Sequence, residues 1–181
     1  MKVIPTAIPD VLVIEPQDIT DSRGFFYESF NQKAFNQATG LNPCFVQDNH
    51  SRSSKGVLRG LHYQINQSQG KLVRVVRGAV FDVAVDIRKN SATFGKWVGI
   101  ELSEHNCKQL WIPAGFAHGF LVTGDSADCL YKTTDYYAPE QGRCVVWNDP
   151  AASINWPLVG EPVLSIKDKT GKSIADADLF K

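Results

Sequence analysis

Charge of one sign, paired cysteines and long apolar runs are all missing from this 181-residue chain. Its 19 Lys and Arg are balanced by 19 Asp and Glu, which leaves no basic field to hold nucleic acid or an anionic membrane surface. An anionic ligand would have to be gripped by a local cluster. No segment approaches the ~20 apolar residues that cross a bilayer. Cys44, Cys107, Cys129 and Cys144 lie far apart with no Cys-x-x-Cys pair, and residues 1–16 contain no apolar run of signal-peptide length. Reduced thiols and a cytoplasmic location are therefore expected. No Gly-rich dinucleotide fingerprint, internal repeat, low-complexity tract or linker interrupts the chain. With 43% hydrophobic residues, one domain spanning 1–181 can bury a sizeable core.

Strand signals dominate what is present. They fall at Val11–Glu15, Gly24–Phe30, Val57–Tyr63, Leu72–Val76, Ala79–Arg88, Trp97–Leu102, Gln109–Ile112, Phe116–Val122, Cys129–Thr133 and Arg143–Trp147. In the clearest, Phe81, Val83, Val85 and Ile87 alternate with Asp82, Ala84, Asp86 and Arg88, which sets one face on a core and the other toward water or a polar cavity. Gly78 separates two short strand words as a hairpin turn would. One helix is expected, from Asn31 as N-cap through Ala34, Phe35 and Ala38 to Gly40 as the stop. Many short strands with little helix argue for an all-β jelly roll or β-barrel with one or a few short helices.

Pro113, Gly115 and His118 stand at the Pro-x-Gly-x-x-His spacing and resemble the second cupin motif, in which a tight turn places a histidine on a strand facing the barrel interior. In metal-binding cupins the first motif reads His-x-His followed by Glu. Here His62 is followed by Gln64 where the second histidine belongs, and then by Ser68, Gln69 and Lys71. A divalent cation needs close N and O donors and is repelled by an ammonium, so no metal is expected. A histidine and lysine sharing a barrel without one point to proton transfer.

The set DSRGFFYESF, QDNHSRSSKGVLRGLHYQ, QGKLVRVVRGAVFDVAVDIRKNSATFGKWVG, LWIPAGFAHGFLV, YKTTDYYAPE and SIKDK resembles the dTDP-4-dehydrorhamnose 3,5-epimerases from about the fifth residue nearly to the C-terminus. The resemblance implies a cupin-type fold and a dTDP-4-keto-6-deoxyglucose substrate. In that substrate C3 and C5 flank the carbonyl, and removing either proton gives an enolate with its charge on the C4 oxygen. Such a reaction needs a base, a cation beside the oxyanion, and an acid on the opposite ring face.

His62 suits the base because imidazole titrates near neutrality. The resemblance makes Asp168 its dyad carboxylate, Lys71 the cation near the C4 oxygen and Tyr131 the general acid. Arg59, three residues before His62, can direct its guanidinium at a diphosphate. For the nucleotide and sugar, the resemblance adds Gln47, Asp48 and Asn49, together with His118, Lys167 and Tyr137, the last stacking on thymine. It assigns Arg23, Phe26 and Glu28 to the thymidine end from a neighbouring subunit, implying a homodimer with N-terminal strand exchange. Many relatives carry a glutamate where Gly142 stands, so that contact is absent or supplied by Glu140. No cofactor is expected. Two other readings fit the same words: an epimerase acting at one centre, or a ketoisomerase, on a related dTDP-sugar; and a non-catalytic cupin.

Overall fold

The computed structural model describes residues 1–181. In chain order the elements are β1 (Lys2–Pro5), β2 (Leu12–Glu15), β3 (Asp18–Asp21), β4 (Gly24–Tyr27), α1 (Gln32–Thr39), β5 (Gln47–Ser54), β6 (Leu58–Gln64), β7 (Lys71–Asp86), β8 (Trp97–Ser103), β9 (Gln109–Ile112), β10 (Phe116–Thr133), β11 (Gly142–Cys144) and α2 (Ile166–Lys169). The main sheet runs antiparallel in the order β1-β2-β9-β7-β10-β6-β11, with β5 added to β10 and β8 to β7, while β3 and β4 form a separate hairpin. This is the all-β architecture expected from the strand words, in the cupin-type form that the resemblance implies. No helix is long and apolar enough to cross a membrane.

Four of the expected strands prove to be two. Leu72–Val76 and Ala79–Arg88 join in β7, and Phe116–Val122 joins Cys129–Thr133 in β10. Gly78 is therefore not a hairpin turn. It lies within β7 at φ 73°, and the Ser126 carbonyl fills the space a Cβ would occupy. The register between β7 and β10 shifts at this point, and a bulge that adds one residue exchanges the two faces of a strand. Val73 and Val75 before the shift consequently share a core with Val80 and Ala84 after it. On β10 the same exchange puts His118 and Phe120 on one face with Cys129 and Tyr131. Lys71, Asp82, His118 and Tyr131 are thereby turned toward one interior.

The opposite face of β7 carries Val83 and Val85, and Ile87 follows just past its end. These pack with Leu58, Leu61, Leu121 and, from the C-terminal segment, Val145, Trp156 and Ile174. At about 25 cal/mol per Å² of apolar area removed from water, burying each such side chain contributes roughly 1.5–3 kcal/mol. The alternation read from Phe81 to Arg88 thus has its apolar face under the C-terminal segment, while Asp82 points to the barrel interior and Asp86 and Arg88 pair with each other beside Ser91, Thr93 and Asp10. Helix α1 forms as expected: Asn31 Oδ1 accepts from the Ala34 N–H at 3.0 Å, Gly40 adopts φ 72°, and Phe35 is fully buried against Trp111 and Phe45. Arg143–Trp147 contributes only the short β11.

Candidate active site

One end of the barrel holds a cavity of about 390 Å³. Strand β5 supplies Gln47 and Asn49, β6 supplies Arg59 and His62, β7 supplies Lys71, and β10 supplies His118 and Tyr131. Tyr137 and Lys167 close its mouth from loop and helix α2. Strand register explains the grouping, since His118 stands opposite His62 and Tyr131 opposite Asn49. Close approach of β6 and β10 requires glycine at position 60, where φ is 125° and a Cβ would lie 2.5 Å from the Gly119 Cα.

Beneath His62 is Asp168, only 2% exposed, with Oδ1 2.7 Å from the imidazole Nε2. That nitrogen is buried against the carboxylate, off the line of an ideal hydrogen bond. Oδ1 accepts the Gly60 N–H at 3.0 Å, and Oδ2 accepts the Ser165 N–H at 3.2 Å and its hydroxyl. Ser165 is the N-cap of α2 and Asp168 its third residue, so a capping box fixes the carboxylate under the imidazole. Burial works against ionisation of Asp168. The close His62 ring and the hydrogen bonds from Ser165 and Gly60 outweigh it and hold the carboxyl well below the usual carboxylate range. For His62, burial wins and lowers the pKa, against the opposing influence of Asp168 and with help from the ammoniums of Lys167 and Lys71. The imidazole rests neutral, ready to accept a proton. With Nε2 turned to Asp168, Nδ1 is the nitrogen left for a ligand.

Lys71 is 7% exposed, its Nζ 3.4 Å from the His62 carbonyl oxygen. Burial pushes its pKa down to about 8; Asp82 partly restores it and Lys167 adds to the depression. Burial also raises the Tyr131 pKa, which keeps the phenol protonated at neutral pH. His118 places Nε2 3.0 Å from both oxygens of the fully buried Asp82. This second His–Asp pair was not expected from the sequence; the signal was the aspartate within the alternating β7 word. Gln64, at the cupin ligand position, donates to the Gln67 and Tyr136 carbonyls and accepts from the Ala138 N–H. Gln47 accepts the Tyr137 N–H at 2.9 Å. Both glutamines hold the loop that presents Tyr137.

Asp48 is a correction to the expected set. Alternation along β5 turns its side chain to the opposite face from Gln47 and Asn49, where it pairs with Lys132 at 2.9 Å. Arg23, Phe26 and Glu28 also lie outside this chain's cavity. Arg23 pairs with Asp21 on the β3–β4 hairpin, Phe26 is 70% exposed, and Glu28 accepts from Asn31. Glu140 is absent from the cavity lining, and the space a side chain at position 142 would enter is approached by Lys167 Nζ, 3.4 Å from the Cβ site.

The family model described as dTDP-4-dehydrorhamnose 3,5-epimerase matches residues 5–176. The chain belongs to that family. Among the epimerases it resembles, the Pseudomonas aeruginosa dTDP-4-dehydrorhamnose 3,5-epimerase is 62% identical over 180 residues, covering 99% of each chain. A Legionella pneumophila dTDP-6-deoxy-D-glucose-3,5-epimerase, solved in complex with dTDP-4-keto-L-rhamnose, superposes with a TM-score of 0.97 at 52% identity, covering 99% of this chain and 97% of that one. The 3'-monoepimerase ChmJ from Streptomyces bikiniensis, in complex with dTDP-quinovose, gives a TM-score of 0.89 at 35% identity, covering 97% and 88%. Epimerases named for one centre and for two thus share the scaffold.

Proposed function

We propose that this chain epimerises dTDP-4-dehydro-6-deoxy-D-glucose at C3 and C5 to dTDP-4-dehydro-L-rhamnose, a step of dTDP-L-rhamnose biosynthesis. The observation that carries the reading is a complete acid–base set in one cavity: a neutral His62 backed by Asp168, a buried Lys71, and a protonated Tyr131. His62 Nδ1 removes the proton next to the carbonyl, and Asp168 stabilises the imidazolium that results. Lys71 supports the C4 oxyanion, a contribution whose removal costs about 3–4 kcal/mol in comparable sites. Tyr131 returns a proton on the other face of the ring. His118, fixed by Asp82, meets the sugar.

Arg59 and Lys167 take the diphosphate and Tyr137 stacks on thymine, with Gln47 and Asn49 offering neutral hydrogen-bonding groups. Arg23, Phe26 and Glu28 serve the cavity of a second copy. We read their exposed hairpin as the exchanged segment of a cytoplasmic homodimer. The whole of residues 1–181 acts as one domain, because β7 and β10 contribute to both large cores. Neither a metal nor a nicotinamide is needed: Gln64 is committed to backbone groups, and the Lys71 ammonium stands in the ligand region.

Likeness to the ChmJ 3'-monoepimerase keeps a single-centre reaction as the second reading. Product analysis in deuterated water separates the two. The proposed function gives dTDP-4-dehydro-L-rhamnose labelled at both C3 and C5. Label at one carbon selects the single-centre reaction, and label at neither contradicts both.

A further inference from the structure

The side of His62 that faces away from the sugar has a neighbour the reaction does not use. Cys144 on β11 stands opposite His62 on β6 in the strand register, and its thiol is free. His62 Nε2 or Nδ1, Cys144 Sγ and an Asp168 carboxylate oxygen lie within 4.8 Å of one another. Neither Cys144 nor Asp168 lines the sugar cavity. The buried Nε2, which has no aligned hydrogen bond, is the nitrogen on this side.

We propose that His62, Cys144 and Asp168 form an inhibitory site for a thiophilic divalent cation of the zinc class, which binds Nε2 behind the imidazole and silences the base. The proposal rests on His62 being that base. Nitrogen, thiolate and carboxylate are donors that zinc accepts together, leaving a fourth position for water. A tetrahedral ion sets such donors roughly 3–4 Å apart, so the 2.7 Å His62–Asp168 contact must open, and the contacts of Cys144, within 4.8 Å, close, each by about 1 Å. This site is distinct from the cupin ligand region, where Gln64 and Lys71 stand. Binding releases the thiol proton to solvent.

The consequence follows from the two nitrogens of imidazole. A neutral histidine that binds a cation through Nε2 carries its one remaining proton on Nδ1. Nδ1 then becomes a donor and cannot take the proton from the sugar carbon. Because the ion sits outside the cavity, substrate binding continues while turnover stops. Inhibition should lower kcat and leave KM unchanged.

The test compares wild type with Cys144→Ala, a variant outside the acid–base set, at buffered free Zn²⁺. Loss of an outer-shell partner already weakens metal sites roughly 10- to 100-fold, so removing a ligand should reduce Zn²⁺ sensitivity at least tenfold. Metal-free turnover should be retained, and wild-type inhibition should reverse with chelator. Equal sensitivity in the two proteins, or a rise in KM as Zn²⁺ is added, would overturn the proposal. A second measurement does not depend on the reaction. Cd²⁺ titration should give a thiolate charge-transfer band that is weaker in Cys144→Ala and persists with saturating dTDP, and Zn²⁺ should protect Cys144 of the wild type from iodoacetamide. An unchanged band with an unprotected Cys144 rules out the site even if the substrate assignment stands. If turnover of the proposed substrate is not observed but the band and the protection are, the cation site stands and the assigned reaction fails.

Discussion

Replacing Lys71 by methionine should make the protein more stable and nearly inactive. Its ammonium is held where burial lowers the pKa from 10.5 to about 8. At 1.36 kcal/mol per pH unit, that difference corresponds to about 3 kcal/mol of unfavourable burial of the charge. Methionine keeps an unbranched, apolar side chain of similar length and adapts to irregular space. Not all of the cost is recoverable, because Asp82 loses a favourable neighbour and the cavity admits water. A gain of about 1–2 kcal/mol is expected, readable as a higher urea midpoint with an unchanged slope. The folded-state pKa lies below that of the unfolded chain, so the penalty is fully present below pH 8 and disappears as pH rises toward 10.5. The stability difference between variant and wild type should shrink across that window. Activity should fall about 10²- to 10³-fold, the loss typical of one missing oxyanion donor. A Lys71→Met protein less stable than wild type at pH 7, or one that turns over normally, would refute this account of the lysine.

Asp82→Asn should lower kcat by freeing the His118 ring, and should move the alkaline limb of the pH–rate profile to lower pH, since Asp82 raises the Lys71 pKa; an unmoved limb would separate Asp82 from Lys71. Sedimentation at micromolar concentration should show a dimer, and Phe26→Ala should weaken dTDP binding; a fully active monomer contradicts strand exchange. Exhaustive chelation should leave turnover unchanged, and activity that disappears and returns with a divalent cation would require a different mechanism.

Much of this architecture was legible because alternation is a strong signal where one face of a strand is apolar. Gln109–Ile112 and the Asn31–Gly40 helix formed within their expected limits. Strand β5 was not read because its inward residues are polar and carry no apolar pattern: Gln47, Asn49 and Ser51 face the cavity, and Ser53 is buried beneath the Arg59 guanidinium. Gly78 looked like a turn because a bulge uses the same left-handed conformation as a hairpin. The same alternation should have excluded the Asp48 side chain, which lies between two cavity residues on one strand. Asp168 and His62 meet only through the tertiary fold, although the Ser165–Asp168 capping box is visible in sequence. Asp82 and Cys144 were missed for a different reason. Their significance depends on which strands pair, and no local pattern carries that information.

The most direct test of the acid–base assignment is solvent deuterium exchange at C3 and C5 of dTDP-4-dehydro-6-deoxy-D-glucose, measured for three variants with intact fold and dTDP affinity. His62→Asn should abolish both exchange and epimerisation, because no enolate forms. Asp168→Asn should behave as a weakened form of it, retaining the imidazole without its charge partner. Tyr131→Phe should retain His62-dependent exchange while product formation falls by roughly 10²- to 10⁴-fold, the usual contribution of one acid–base group. Equal loss of exchange in His62→Asn and Tyr131→Phe would contradict the division of base and acid between these two residues.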